Sequence, residues 1–305
     1  MKLTTLFATS LLFVCPLFSD EPQSENTPLV SRQMQNGSET PFRVDAEYEA
    51  FRHAKFSKPH SQKHNHLSMS STSALASYKH ATSDKTGYTI GVGYLGVDFN
   101  FSKHKIFNQK HFDNALINIG GYTKEIEGWK WKADLLTQIN TEHLTLSRYS
   151  FFTGLLQGKY SWHKNRNLYV GILAYTGMRY SRALPVIGFD YSFNDTWKLN
   201  FVYPLNMVLR HIITKNWSVE AGIRYYLTRQ RLGEDDKIKR GFVAFKNWSA
   251  EIGVNWVYNS TIQFNAHVGQ ALGNRMRTSN RHDGHRKHYR MESAPGFGFI
   301  ASIKL

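Results

Sequence analysis

The sequence predicts an all-β protein, a transmembrane antiparallel up-and-down β-barrel of about 12 strands, or 10 if one weak hairpin is lost. Three observations predict it. Apolar and polar residues alternate with period two over runs of about ten to thirteen residues, long enough to cross a bilayer at a tilt. Trp129, Trp197, Trp217, Trp248 and Trp256 stand at the ends of such runs, where interfacial aromatics belong. The face opposite the oily one carries charges that a dry core would not tolerate but a watery interior would.

Taken from the N-terminus, residues 1–19 read as a signal peptide. Lys2 gives the positive start, Leu3 to Val14 the apolar stretch, and Leu17-Phe18-Ser19 the cleavage site. The competing reading makes Cys15 a lipidated N-terminus. Cleavage after Ser19 discards the only cysteine, so no disulfide holds the mature chain. It also removes Lys2, leaving 37 basic against 23 acidic side chains, a net charge of about +14. Such a balance favours polyanionic neighbours. For an exported chain these are lipid phosphates or acidic glycans, not nucleic acid. Residues 20–40, rich in Glu, Gln, Ser, Asn and Pro, read as a disordered lead-in, and 41–305 as the barrel domain.

The barrel begins with FRVDAEYEAF. Phe42, Val44, Ala46, Tyr48 and Ala50 share one face, and Arg43, Asp45, Glu47 and Glu49 the other. The same division recurs in three later runs: WKWKADLLTQI from Trp129, WSVEAGIRYYLT from Trp217 and IQFNAHV from Ile262. Strands are expected at 42–51, 87–101, 112–122, 129–140, 147–160, 167–178, 185–193, 197–209, 217–228, 247–257, 261–270 and 295–305. Pro185 and Pro204 weaken the pair 185–193 and 197–209. Both termini then lie on the periplasmic side. Segments 52–86, 229–246 and 271–294 fall outside; 102–111, 141–146, 210–216 and 258–260 fall inside. The inward set adds Lys130, Lys132, Asp134, Glu220, Arg224 and Glu251 to those of the first strand. Its mixed signs are expected to pair across the interior and narrow it.

Four motifs invite chemistry. Gly91-Val92-Gly93-Tyr94-Leu95-Gly96 has the G-x-G-x-x-G spacing of a dinucleotide loop, but it lies inside an alternating run with more strand after it, so no cofactor is assigned. His66-Leu67-Ser68 has the H-x-S spacing of some outer-membrane lipid hydrolases, yet it sits in a polar stretch that reads as a loop, so no catalytic residue is assigned. His53, His60, His64, His66 and His80, with His282, His285 and His288, could ligate a metal in principle. Loop residues lack the surroundings that orient a ligand ring, and no metal site is assigned. Finally, Arg275, Arg277, Arg281, Arg286, Lys287 and Arg290 face a lone Asp283 and form a candidate polyanion-binding loop, with lipopolysaccharide as the expected partner.

The last run, APGFGFIASIKL, resembles the C-terminal signal read by the barrel-assembly machinery, although it ends in Leu305 instead of an aromatic. The stretch LPVIGFDYSFNDTWKLNFVYPLNMVLRHIITKNWSVEAGIRYYLTR is similar to an uncharacterised family of bacterial outer-membrane β-barrel proteins, a domain of unknown function. That resemblance implies address and fold, with no activity to carry over. The expectation is therefore a non-enzymatic outer-membrane barrel, a narrow channel or a surface structural or adhesive protein. The alternatives are an outer-membrane lipid hydrolase, or an exported soluble β-protein or lipoprotein.

Overall fold

A computed structural model describes residues 41–141, 149–163, 165–259 and 261–305; the expected signal peptide and lead-in lie outside the described residues. The strands are β1 (Phe42–Lys58), β2 (His66–Ala81), β3 (Thr86–Phe101), β4 (His111–Thr123), β5 (Trp129–Asn140), β6 (Ser150–His163), β7 (Arg166–Gly177), β8 (Tyr180–Ser192), β9 (Trp197–Tyr203), β10 (Asn206–Ile212), β11 (Trp217–Arg231), β12 (Phe242–Tyr258), β13 (Ile262–Ser279), β14 (Lys287–Met291) and β15 (Ala294–Lys304). Each of β1 to β13 pairs antiparallel with the next, and β15, which pairs with β13, closes the sheet on β1. β14 and β15 both run between β13 and β1, so they are one wall position interrupted at Glu292-Ser293. The wall is a closed barrel of 14 strands. Closure supplies a partner to both edges of the sheet, which is what permits such a sheet to sit in lipid.

Fourteen replaces the expected twelve for two reasons. Residues 66–81, read as a loop, form β2: its outward positions include Ala74 and Ala76 and its inward ones Ser71 and Ser73, so neither face looks oily. Residues 197–209, read as one strand, fold back at Pro204-Leu205 into β9 and β10. Leaving out β2 reverses the direction of every strand from β3 to β9, and the turn at Pro204-Leu205 restores it from β10 onwards. Segment 102–110 therefore emerges at the same end as 59–65, 232–241 and 280–286, not at the end of the termini as expected; the expected segment 141–146 lies, but for residue 141, outside the described residues. At the terminus end the connections are two to five residues long; at the other end they reach ten.

The sign of the pattern changes with height. In the lower part, large apolar residues such as Val92, Ile119, Ile172, Ile252 and Val268 face out, while Asp45, Glu49, Asp134 and Glu220 face in. Along β12 the outward band runs from Trp248 to Tyr258. That is about 33 Å along the strand and about 25 Å along the membrane normal at the usual tilt. Trp129, Trp197 and Trp217 begin their strands at the lower border. Towards the long-connection end the arrangement inverts. Asp98, Asn100, Arg275 and Arg277 face out, and Phe56, Leu67, Phe99, Phe101, Phe245 and Met276 are buried inside.

Two bulges sit at this change of sign. Between Phe51 and Ala54, β1 takes one more residue than β2, with His53 at φ 60°. Between Leu272 and Arg275, β13 takes one more than β12, with Gly273 at φ 61°. Each extra residue shifts the alternation, so Phe51 and Ala54, or Ala271 and Asn274, point inward in succession.

The β9–β10 hairpin is only half as tall as its neighbours. β9 covers β8 from Ile187 to Ser192, and β10 covers β11 from Ser218 to Arg224. Above it the upper ends of β11 and β12 lean into the barrel. Leu227, Arg229 and Phe242 follow the outward alternation, yet they are buried against Phe151, Tyr175 and Met178 from the inner side of β6 and β7 and the turn that follows them.

Candidate functional site, an occluded lumen

The charged side chains of the lower lumen form a chain of alternating sign around the wall. Arg210 of β10 meets Glu220 of β11 at 2.8 Å, and Arg224 of β11 reaches Glu220 at 2.6 Å and also pairs with Glu251 of β12. Tyr226 donates its hydroxyl to Glu251 at 2.6 Å. His267 of β13 lies 4.0 Å from Glu251 and 2.6 Å from Glu49 of β1. Asn265 bonds to Glu220 at 3.1 Å, and its carbonyl oxygen lies 2.7 Å from His267 Nδ1. Elsewhere Arg43 pairs with Asp45, and Lys132 with Asp134 at 3.3 Å. The mixed charges do pair, but along a strand or with nearby strands of the wall, not across the interior as expected.

These groups would be wet in an open pore. Instead Arg210 and Lys198 are 1 % exposed and Glu220 is 4 %. Buried charges persist only when paired and hydrogen-bonded, and removal of one partner leaves the other uncompensated. The network therefore fills the lumen. Glycines of the wall make room for it: a Cβ on Gly298 would stand 2.5 Å from His267 Nε2 and 2.6 Å from the Glu49 carboxyl carbon.

Above the network the lumen is a hydrocarbon core. Phe51 stacks on Phe245 with centroids 5.1 Å apart, and Phe107 from the 102–110 connection packs edge-on against Phe99 and Phe101. Leu232 and Ile238 of the 232–241 connection join the same cluster. The two connections are tied together: the Asp236 carboxylate accepts the backbone N–H groups of Asn108 and Gln109 at 2.6 and 2.8 Å, and the Gln109 side chain accepts from Gly233. The cap is not visible in the sequence, where 102–111 and 229–246 read as loops on opposite sides of the membrane.

The candidate polyanion residues are mostly on strands, not in a loop. Arg275 and Arg277 lie on β13, Lys287 and Arg290 on β14, and Arg281 and Arg286 in the connection between them. Asp283 gathers Arg229 at 3.1 Å, Arg277 at 3.4 Å and Arg286 at 3.0 Å, and accepts from Ser279 at 2.7 Å. Burial pushes its carboxyl pKa up, but the Ser279 hydroxyl and the guanidinium groups outweigh that and hold it below the ordinary aspartate value.

The histidine-rich segments do not converge. Among the described residues the carboxylate and imidazole donors that come within 4.8 Å of one another as a group of three or more are Glu49, Glu251 and His267, where Arg224 and Tyr226 already hold Glu251. His66 and Ser68 are placed on β2, at its upper end, on outward-alternating positions, with Asn100 of β3 directly opposite Ser68. The Ser68 hydroxyl accepts the His53 N–H at 3.1 Å, and His66 Nδ1 lies 3.5 Å from the His53 carbonyl. The G-x-G-x-x-G run is the middle of β3, as expected. There Gly93 lets the sheet close on β2, since a Cβ would meet the Ala74 carbonyl at 2.3 Å.

No protein-family profile matches the chain. It is 22 % identical over 232 residues to an uncharacterised protein of Chlamydia pneumoniae, covering 70 % of this chain and 72 % of that one. It is 21 % identical over 237 residues to an uncharacterised protein of Chlamydia trachomatis serovar D, covering 72 % and 74 %. Among solved structures it is similar to a TodX monoaromatic hydrocarbon channel mutant, with a TM-score of 0.47, 9 % identity and 90 % and 94 % of the two chains covered. An outer-membrane channel of Pseudomonas putida F1 gives a TM-score of 0.46 at 7 % identity, covering 88 % of this chain and 99 % of that one.

Proposed function

We propose that this chain is an outer-membrane β-barrel protein that serves as a surface structural or adhesive element, without catalysis, and whose lumen offers at most a narrow, intermittent path. The observation that carries the reading is the inversion of polarity with height: a lipid-facing apolar band around a paired, buried charge network, surmounted by a hydrocarbon cap. A standing diffusion pore needs wet walls from end to end, and Arg210, Glu220 and Phe245 are not wet. The longer connections at the capped end match the outer surface of bacterial barrels. Purified protein reconstituted in planar bilayers is the test. Silence, or brief small openings, is the expected record, and a steady large conductance overturns the reading. A folded-against-boiled gel shift and dependence on detergent test the membrane assignment separately.

A second reading, lipid hydrolysis, draws on the placement of His66 and Ser68 on a strand, facing outward, with Asn100 beside Ser68. Against it stands the bond from His53 N–H to the Ser68 hydroxyl, with no hydrogen bond between His66 and Ser68 among the described residues. Phospholipid and lipid A hydrolysis assays on the wild type and Ser68→Ala decide between the two: turnover that disappears with the hydroxyl would establish the enzyme.

A further inference from the structure

Four cations stand in one line across the outside of the barrel. Lys246 of β12 is directly opposite Arg275 of β13, Arg275 opposite Arg290 of β14, and Arg290 opposite Lys58 of β1. Arg182 and Arg277 crowd Lys246 further. Like charges placed directly opposite each other destabilise a sheet; Arg277, just above the row, is relieved by Asp283. Among the described residues none of the four forms an ion pair. The row is therefore an electrostatic cost of the isolated chain that a multivalent anion would turn into a gain.

Beneath the row the outer wall is hollow. Trp248 and Leu272 come first, both exposed. Below them opens a groove of about 990 Å³ lined by Met207, Ile223, Ile252, Val268 and Phe297, with Arg52 at its edge, 5.7 Å from the Phe297 ring centroid. Its floor is made of small residues, Ala221, Gly222, Ala250, Gly269 and Gly296, and that is why an otherwise convex surface is concave here. From Lys246 to Ile252 is six residue steps along β12, about 20 Å. Cations above and an apolar groove about one acyl-chain length below match the two ends of one amphiphile.

We propose that this face, β10 to β15 with β1, holds a phosphorylated acyl lipid of the outer leaflet, its phosphates on Lys246, Arg275, Arg290 and Lys58 and an acyl chain in the groove. The inference rests on the outer-membrane reading above. A row of four cations suits the several phosphates of lipopolysaccharide, not the single one of an anionic phospholipid, so lipopolysaccharide is the occupant and the phospholipid is the other arm of the test.

Wild type, the triple variant Lys246→Gln, Arg275→Gln, Arg290→Gln, and the groove variant Ala250→Phe are reconstituted in nanodiscs of phosphatidylcholine doped with fluorescent lipid A or fluorescent phosphatidylglycerol. Lipid retained on the protein after detergent exchange is then measured. Wild type is expected to keep lipid A and to release labelled phosphatidylglycerol and phosphatidylcholine. The triple variant is expected to keep roughly tenfold less, the minimum that losing three charge-assisted contacts would give. Ala250→Phe is expected to lose acyl lipid with its cations intact. Retention unchanged in the triple variant, or phosphatidylglycerol or phosphatidylcholine held as firmly as lipid A, overturns the proposal. Heat-modifiable migration of each protein is recorded alongside. If wild type shows none and stays dissolved without detergent, the membrane reading has failed instead.

Discussion

His267 and Glu49 meet across a strand that belongs to neither of them. His267 is on β13 and Glu49 on β1, both opposite Gly298 of β15, and their side chains close to 2.6 Å over it. The pair therefore spans the seam where the last strand joins the first. Gly298→Ala would drive a methyl group between the imidazole and the carboxylate. The expected cost is about 1–3 kcal/mol, the usual range for overpacking, read as a lower temperature for loss of the folded band on a heated gel. Gly121, whose Cβ position meets nothing closer than 3.7 Å, is the control: Gly121→Ala is expected to leave that temperature nearly unchanged.

Arg224 sits between Glu220 and Glu251. Arg224→Gln leaves two buried carboxylates facing each other without a cation between them, and such a loss typically costs about 3–5 kcal/mol. The double variant Arg224→Gln, Glu251→Gln should recover part of the stability, because one uncompensated charge is gone. Urea unfolding in detergent distinguishes the two.

Phe107 is fully buried among Phe99, Phe101 and Phe112. Phe107→Ala opens a void in the cap at a cost of about 3–5 kcal/mol. Because the cap closes the upper lumen, the same change is expected to raise the frequency of brief conductance events in planar bilayers. Phe42→Ala, at the exposed lower rim, should not.

Asp283 gives the turn at 280–286 a pH dependence of known sign. Its folded pKa is depressed, so its ties to Arg229, Arg277 and Arg286 contribute stability that is present above the unfolded value, about 3.9, and lost as pH falls through the lower, folded value. Proteolysis at this turn by an acid-active protease is expected to accelerate below that range. In Asp283→Asn the turn is expected to be cut readily at every pH.

What the sequence made legible follows from where its alternation is strong. β5 and β11 are legible to within a few residues because oily and polar or charged positions oppose each other along their length. β1 and β13 were cut short at 51 and 270, since the bulges at His53 and Gly273 interrupt the period and the faces exchange character beyond them. β2 escaped because Ser71, Ser73, Ala74 and Ala76 give neither face a hydrophobic signature. The turn at Pro204-Leu205 escaped because two seven-residue strands joined by two residues imitate one long one. Of the lumen network, Glu49, Glu220, Arg224 and Glu251 were recognisable as inward charges. His267 was placed on the inward face but not on Glu49, a partner 218 positions away that only closure of the barrel supplies.

The exchange of oily and wet faces at the bulge level also fixes how deep the molecule rides. Raising it by two residues would lift Trp248 and Leu272 out of the hydrocarbon; lowering it by the same amount would sink Lys246, Arg275 and Asp98 into it. Charges cost most at the bilayer midplane and least near its borders, so both displacements are opposed and the barrel has one height at which it rests.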